Sequence, residues 1–168
     1  MPTRWTGIRL ALSRRNYRLF LAGQLVSLLG TWTQSVAQAW LVYRLTNSAL
    51  WLGIVVLCQQ LPVALLASLG GWLADRHRRR TILVVTQSVA MLLAFVLSGL
   101  VLSGTVQLAH VIVLATLSGV VNAVDIPTRQ SFVIEMVGRG GLMTAVAINS
   151  SMAMCAASLG PAIAGFGV

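Results

Sequence analysis

Charged residues divide this chain into long uncharged segments, and this division constrains the fold more than any other feature. Residues 19–43 and 45–74 carry no charge, and neither does the final segment, 142–168. Residues 81–124 carry none apart from a possible charge on His110. A helix needs about 20 apolar residues to cross the hydrocarbon core of a bilayer, roughly 30 Å thick. Each segment is therefore long enough for one crossing, and 81–124 is long enough for two.

The segment lengths predict an all-α integral membrane fold with five transmembrane helices. Backbone that spans a bilayer must satisfy its own hydrogen bonds, which favours helices. We expect helices near 19–43, 50–73, 81–102, 108–125 and 142–166, with turns at "TNS" (46–48) and "SGTVQ" (103–107). Residues 1–18 form a basic tail, and residues 19–168 form a partial transmembrane domain.

Composition supports the membrane class and excludes a soluble one. The chain is 57% hydrophobic and 9% charged, with a mean hydropathy of +0.86, whereas soluble domains carry about 25% charged residues. The net charge of +9 could suggest a nucleic-acid partner. However, the arginines lie at the ends of apolar segments rather than over a soluble surface, so we expect a lipid bilayer as the partner and no nucleic acid.

The arginines also predict the orientation. Eleven of the twelve lie on one predicted side of the membrane, in the tail and in the connections 75–80 and 127–141, and Arg44 alone lies on the other. Basic residues concentrate on the cytoplasmic side of membrane proteins. The amino terminus is therefore predicted to be cytoplasmic, as in a multi-pass protein of a plasma membrane.

Polar side chains recur at helical spacing within two of the apolar segments. Along the first helix they include Gln24, Thr31, Gln34 and Gln38, and along the fourth they include Ser118 and Asn122. Polar groups inside a membrane need partners or water, so the two stripes could line an aqueous cavity. Hydrogen bonding between packed helices is an equally good interpretation.

The chain lacks the residue sets that enzyme chemistry needs. Its acids are Asp75, Asp125 and Glu135, its histidines are His77 and His110, and no metal-ligand spacing, nucleophile–base set or phosphate-binding loop is present. The sequence predicts neither an enzyme nor a metal site, and no cofactor.

The connection after the second helix, "GGWLADRHRRR", resembles the signature loop of the major facilitator superfamily. The matching positions are Gly71, Asp75, Arg76, Arg79 and Arg80, and Arg78 replaces a usual glycine. The segments 27–53, 125–138 and 147–165 resemble a bacterial branch that contains enterobactin-exporter-like proteins, also called transmembrane secretion effectors. This branch implies an efflux transporter of the bacterial inner membrane, for a small molecule such as a siderophore or a drug-like compound.

The resemblance implies a role for the loop and for the fifth helix. Asp75 would hold two halves of a transporter together as a conformational latch, and Arg79 would pair with Asp125. A solvated topology loop is the alternative. The fifth helix resembles the exporter-type motif of the superfamily, through Ala156, Gly160, Pro161, Ala164 and Gly165. A proton gradient as energy source is implied by the family alone, since the arginine usual before the Gly-Pro pair is replaced by Ala156–Ala157.

The family fold has twelve helices in two halves, with the substrate near the bilayer midplane. Five helices correspond to part of the amino-terminal half, without the sixth helix and the carboxyl-terminal half that would be its natural packing partner. We therefore expect the 168-residue chain alone not to transport. The alternative function is that of a short multi-spanning accessory or assembly protein.

Overall fold

A computed structural model describes residues 15–137 and 142–166 of the chain, and these residues form five long helices. The helices are α1 (Arg15–Thr46), α2 (Ala49–Arg76), α3 (Arg79–Leu102), α4 (Leu108–Val137) and α5 (Leu142–Phe166). No strand occurs within the described ranges. The all-α fold class is confirmed. Of the basic tail predicted at 1–18, residues 1–14 lie outside the described residues.

Short turns separate consecutive helices where polar residues interrupt the apolar segments. Asn47 adopts a left-handed conformation, φ 49°, and donates its backbone N–H to the Tyr43 carbonyl at 2.7 Å. Gly104 follows α3 in the same left-handed conformation, φ 69°, and donates its backbone N–H to the Val101 carbonyl at 3.1 Å. Asparagine and glycine tolerate this conformation and commonly terminate helices. Both turns fall within the stretches 46–48 and 103–107 that the sequence indicated.

Among the described residues, four helices are long and apolar enough to cross a membrane. They span Ala49–Arg76, Arg79–Leu102, Leu108–Met136 and Ala145–Ala162. The helix α1 has sufficient length, at 32 residues. Its glutamines and hydroxyl side chains make it less apolar than the others, so the crossing at 19–43 remains a prediction.

The chain forms two compact units, and α1 and α4 each contribute to both. The first unit contains residues up to Gln38 together with those from Val133 onward, and the second contains Ala39–Phe132. In the first unit, Ala145 of α5 is fully buried against Leu21 and against Val133 and Met136 of α4. Small side chains such as this alanine let helices approach closely where no hydrophobic effect drives them together.

The second unit has a core to which all four of its helices contribute. Val42, Val55, Leu97, Val111 and Ala115 are buried together. Many larger apolar side chains on the same helices are exposed, including Leu50, Leu65 and Phe95. In a soluble protein such exposure would indicate a docking surface. On helices of this length and hydropathy it indicates contact with lipid.

Candidate functional site

The motif residues lie at the sharp junction between α2 and α3, within the second unit. The helix α2 continues through Arg76, where the backbone N–H of His77 bonds the Leu73 carbonyl at 3.2 Å. The helix α3 begins two residues later, at Arg79, and its first bonds run to the Arg78 carbonyl. The predicted loop 75–80 is therefore mostly helix end, with His77 and Arg78 alone between the two helices.

Asp75 is the exposed acid of the junction. Its carboxylate is 75% exposed and lies 3.9 Å from the guanidinium of Arg79. Arg79 also donates to the backbone carbonyl of Ser131 on α4, at 3.3 Å. An ion pair this exposed contributes about 0–1 kcal/mol. The structural role of Asp75 within this unit is therefore small.

Asp125 on α4 is the buried acid of the same unit, with a side chain only 5% exposed. Its Oδ1 accepts a hydrogen bond from the Thr86 hydroxyl at 2.6 Å and one from the Gln87 amide at 3.4 Å. Its Oδ2 pairs with the Arg129 guanidinium one turn further along α4. A buried carboxylate is stable only with such compensation. The pairing of Arg79 with Asp125 that the family implies remains a prediction.

The helix α4 does not end at residue 125 as the sequence predicted, but continues to Val137 through Pro127. Proline lacks an N–H and leaves the carbonyl of Ala123, four residues earlier, without its helical donor. Gly70 of α2 lies directly against this carbonyl, so close that an added Cβ would overlap its oxygen. Weak Cα–H···O contacts recur at such close helix crossings. Gly70 thus lies against the carbonyl that has no N–H donor at Pro127.

A second glycine forms the matching contact in the opposite direction. Gly119 of α4 lies against the Gln59 carbonyl of α2, near the ring of Pro62, and a Cβ there would overlap the oxygen. In contrast, a Cβ on Gly71, the glycine of the family motif, would meet nothing within 4 Å. Gly70 and Gly119 therefore set how closely α2 and α4 approach. Gly71 takes no part in this contact, since a side chain there would meet open space.

The predicted polar stripes belong to different units. On α1, Gln24 is buried, Thr31 is exposed, and Gln34 and Gln38 are half-buried. The Thr31 hydroxyl bonds the Ser27 carbonyl of its own helix at 2.9 Å, so this hydroxyl needs no partner helix. On α4, Ser118 and Asn122 are half-buried. Whether the stripes share one cavity remains a prediction.

The α5 segment that resembles the exporter-type motif contacts α1 at Gly160, within the first unit. Ala156 is fully buried, and Gly160 lies so close to Trp32 that an added Cβ would be 2.5 Å from the Trp32 Cβ. The Thr33 hydroxyl reaches the Gly160 carbonyl at 3.4 Å. Pro161 is exposed, a Cβ on Gly165 would meet open space, and the Ala164 side chain lies outside the described residues. The sequence had left the partner of this small-residue face open, and the structure identifies it as α1.

Sequence reasoning missed the three residues that bond Asp125 and the glycine that contacts α4. They are Thr86, Gln87, Arg129 and Gly70. Arg129 stands four residues after Asp125, a spacing that indicates a helical ion pair, but Pro127 between them indicated a helix end. Thr86 and Gln87 gave no signal, because their role depends on how α3 is rotated against α4. Chemically, the second unit carries one exposed carboxylate at the α2–α3 junction, Asp75, and one buried carboxylate on α4, Asp125, whose charge is compensated by Arg129.

Five long helices, apolar surfaces and charges gathered at a helix junction define a multi-spanning membrane protein. The sequence model of the family described as "transmembrane secretion effector" matches residues 9–168, so this chain belongs to that family of the major facilitator superfamily. The staphyloferrin A transporter of Staphylococcus aureus is 31% identical over 149 residues, which cover 88% of this chain and 38% of that protein. No solved structure matches the chain.

The comparisons confirm the family resemblance and the expectation that the chain is not an enzyme, since its relatives are transporters. The chain spans 38% of the length of the curated relative that it matches.

Proposed function

We propose that this chain is the amino-terminal part of a membrane efflux transporter that moves a small molecule by alternating access. The family match over residues 9–168 is the observation that carries this proposal. A siderophore or a drug-like compound is the proposed substrate class, in keeping with the name of the staphyloferrin A transporter. The proposed location is the bacterial inner membrane, with a cytoplasmic amino terminus.

The structure supports a latch role for the exposed carboxylate of Asp75. This side chain contributes little to the unit that carries it, because it is 75% exposed and its distance to Arg79 is 3.9 Å. Asp125, in contrast, is already neutralised by Arg129 and two further donors. An exposed charge at the end of a helix, with one weak contact inside its own unit, suits contact with a second transporter half. Such a contact biases one of two conformations.

The open space beside Gly71 supports the same proposal, since a Cβ there would meet nothing within 4 Å. Asp75 and Gly71 lie one helical turn apart on α2, so they share a face. With no side chain at Gly71, a second half could approach this face closely. We propose that Gly71 and Asp75 together face the carboxyl-terminal half, and that the 168 residues alone do not transport.

Sequencing, export assays and solvent-access measurements test the proposal. Sequencing the source DNA beyond codon 168 should reveal a sixth helix and a second six-helix half. In the complete protein, Asp75→Asn should lower export of the substrate, while Asp75→Glu, which keeps the charge, should retain most of it. Unchanged export and unchanged solvent access to both faces of the Asp75→Asn protein would contradict the latch. Export by vesicles that contain only residues 1–168 would contradict the fragment proposal.

A further inference from the structure

A groove opens between α2, α3 and α4 at the end of the second unit that carries the arginines. It has a volume of about 590 Å³. Apolar side chains form its walls, with Leu73 from α2, Val85 and Val89 from α3, and three valines from α4. The buried Thr86 also lines it, but its hydroxyl already bonds Asp125. The groove therefore suits an apolar occupant.

Two cationic or titratable side chains stand at one end of this groove. His77 and Arg78, the two residues between α2 and α3, both line it and both are exposed. The neighbouring arginines have other contacts, since Arg76 lies over the Trp72 ring at 4.8 Å and Arg79 lies near Asp75. The groove thus combines an apolar body with a basic mouth.

The dimensions of the groove match one leaflet of a bilayer. It follows α3 over the nine residues from Thr81 to Val89, and the eight helical rises between them cover about 12 Å. One hydrocarbon leaflet is about 15 Å deep. In the proposed topology the α2–α3 junction lies at the membrane surface, and the apolar molecules available to a groove below it are lipid acyl chains.

We propose that this groove binds an anionic phospholipid, with one acyl chain along α3 and the phosphate at Arg78 and His77. The cytoplasmic leaflet is rich in anionic lipids, and basic pockets between helices on that side bind their headgroups. The proposed orientation places the α2–α3 junction in this leaflet. Because the lipid contacts all three helices, it stabilises the same junction that carries Asp75.

The test uses the purified 168-residue chain from nanodiscs that contain equal amounts of phosphatidylglycerol and phosphatidylethanolamine. Native mass spectrometry then counts the lipids that stay bound. The wild-type chain should retain phosphatidylglycerol preferentially. In the proposed pose Arg78 donates a charge-assisted hydrogen bond to the phosphate, so Arg78→Gln should lower phosphatidylglycerol affinity about tenfold or more, whereas an arginine that only attracts the anionic surface changes it no more than about fivefold. Arg80→Gln is the matched control, because Arg80 is exposed in the same junction but does not line the groove.

A second pair of variants tests whether the acyl chain binds in the groove. Val85→Trp fills the groove and should reduce binding of both lipids, whereas Val84→Trp should not. These valines are adjacent and are 55% and 59% exposed, and only Val85 lines the groove. Helix content and monodispersity check that each variant folds. If Val85→Trp does not fold, the arginine pair decides alone.

Three results would overturn the proposal. Equal retention of the two lipids by the wild-type chain would remove the headgroup contact. Equal losses from Arg78→Gln and Arg80→Gln would indicate diffuse attraction to the basic junction rather than a site. Loss of self-association in Val85→Trp, with phosphatidylglycerol binding unchanged, would show that a second copy covers the groove.

Discussion

The two aspartates of the second unit show how burial decides what a carboxylate does. Asp125 is 5% exposed and has partners on α3 and on its own helix, so its charge is compensated locally. Asp75 is 75% exposed and lies 3.9 Å from one arginine. Removing a partner from the buried acid leaves an uncompensated charge, whereas the exposed acid is solvated by water. The first residue is structural, and the second is available for an external contact.

Thr86→Val should destabilise the chain, because it removes the 2.6 Å hydrogen bond to the Asp125 carboxylate without changing the volume of the side chain. A hydrogen bond to a charged group contributes about 1.5–3 kcal/mol, so the midpoint of thermal unfolding in detergent should fall by several degrees. Thr116→Val is the control, because the Thr116 hydroxyl bonds the Ile112 carbonyl of its own helix. Equal midpoints for the two variants would show that the bond to Asp125 contributes nothing.

Side-chain partners were the part of the site that sequence could not supply. The family resemblance grouped Asp75, Arg76 and Arg79 with Asp125. The first three lie at the α2–α3 junction, whereas Asp125 lies within α4 and bonds Thr86 and Gln87 of α3. The resemblance did not identify Thr86 or Gln87 as donors to Asp125. The rotation of α3 about its axis selects these donors. Helices that are apolar on most sides carry little sequence information about that rotation.

At the scale of helices, α2 and α4 are held together by two glycine contacts of opposite direction. Gly70 lies against the Ala123 carbonyl, and Gly119 lies against the Gln59 carbonyl. Helices in a membrane gain stability from close van der Waals packing, which small residues allow. The α2–α4 pair therefore depends on positions where no side chain fits.

Gly70→Ala should therefore destabilise the chain, and Gly71→Ala should not. Both changes raise helix propensity by about 1 kcal/mol. Only the first inserts a Cβ into the Ala123 carbonyl, since a Cβ at Gly71 meets nothing within 4 Å. Overpacking of this kind costs about 1–3 kcal/mol. Unfolding by a denaturing detergent measures both variants, and an equal response of the two would contradict the α2–α4 contact.

The helices themselves were largely predictable, because charges and turn residues punctuate the chain. Asn47 and Gly104 mark the turns that the sequence indicated. The extension of α4 past Pro127 was not predictable in the same way. Proline, Arg129 and the polar residues around them are typical of a connection. Their helical conformation depends on Gly70 of another helix and on the ion pair with Asp125.

At the scale of the whole molecule, a tryptophan–arginine pair lies near the carboxyl end of each of the first two helices. Arg44 lies 5.0 Å from the Trp40 ring centre near the end of α1, and Arg76 lies 4.8 Å from the Trp72 ring centre at the end of α2. Aromatic and basic side chains concentrate at the two interfaces of a bilayer. Since α1 and α2 are consecutive helices that run in opposite directions through the membrane in the proposed topology, the two pairs are predicted to lie at opposite interfaces.

Single cysteines can determine which interface is cytoplasmic. Cys58 and Cys155 are first replaced by serine, and one cysteine is then introduced at Arg80 in the α2–α3 junction or at Ser103 in the α3–α4 turn, both of which are exposed. With eleven arginines on one side, we expect Ser103→Cys to react with a membrane-impermeant maleimide in intact cells. Arg80→Cys should react only after the membrane is opened. The reverse labelling pattern would invert the topology and place the Asp75 junction outside, whereas labelling of both sites in intact cells would mean that α3 does not cross the membrane.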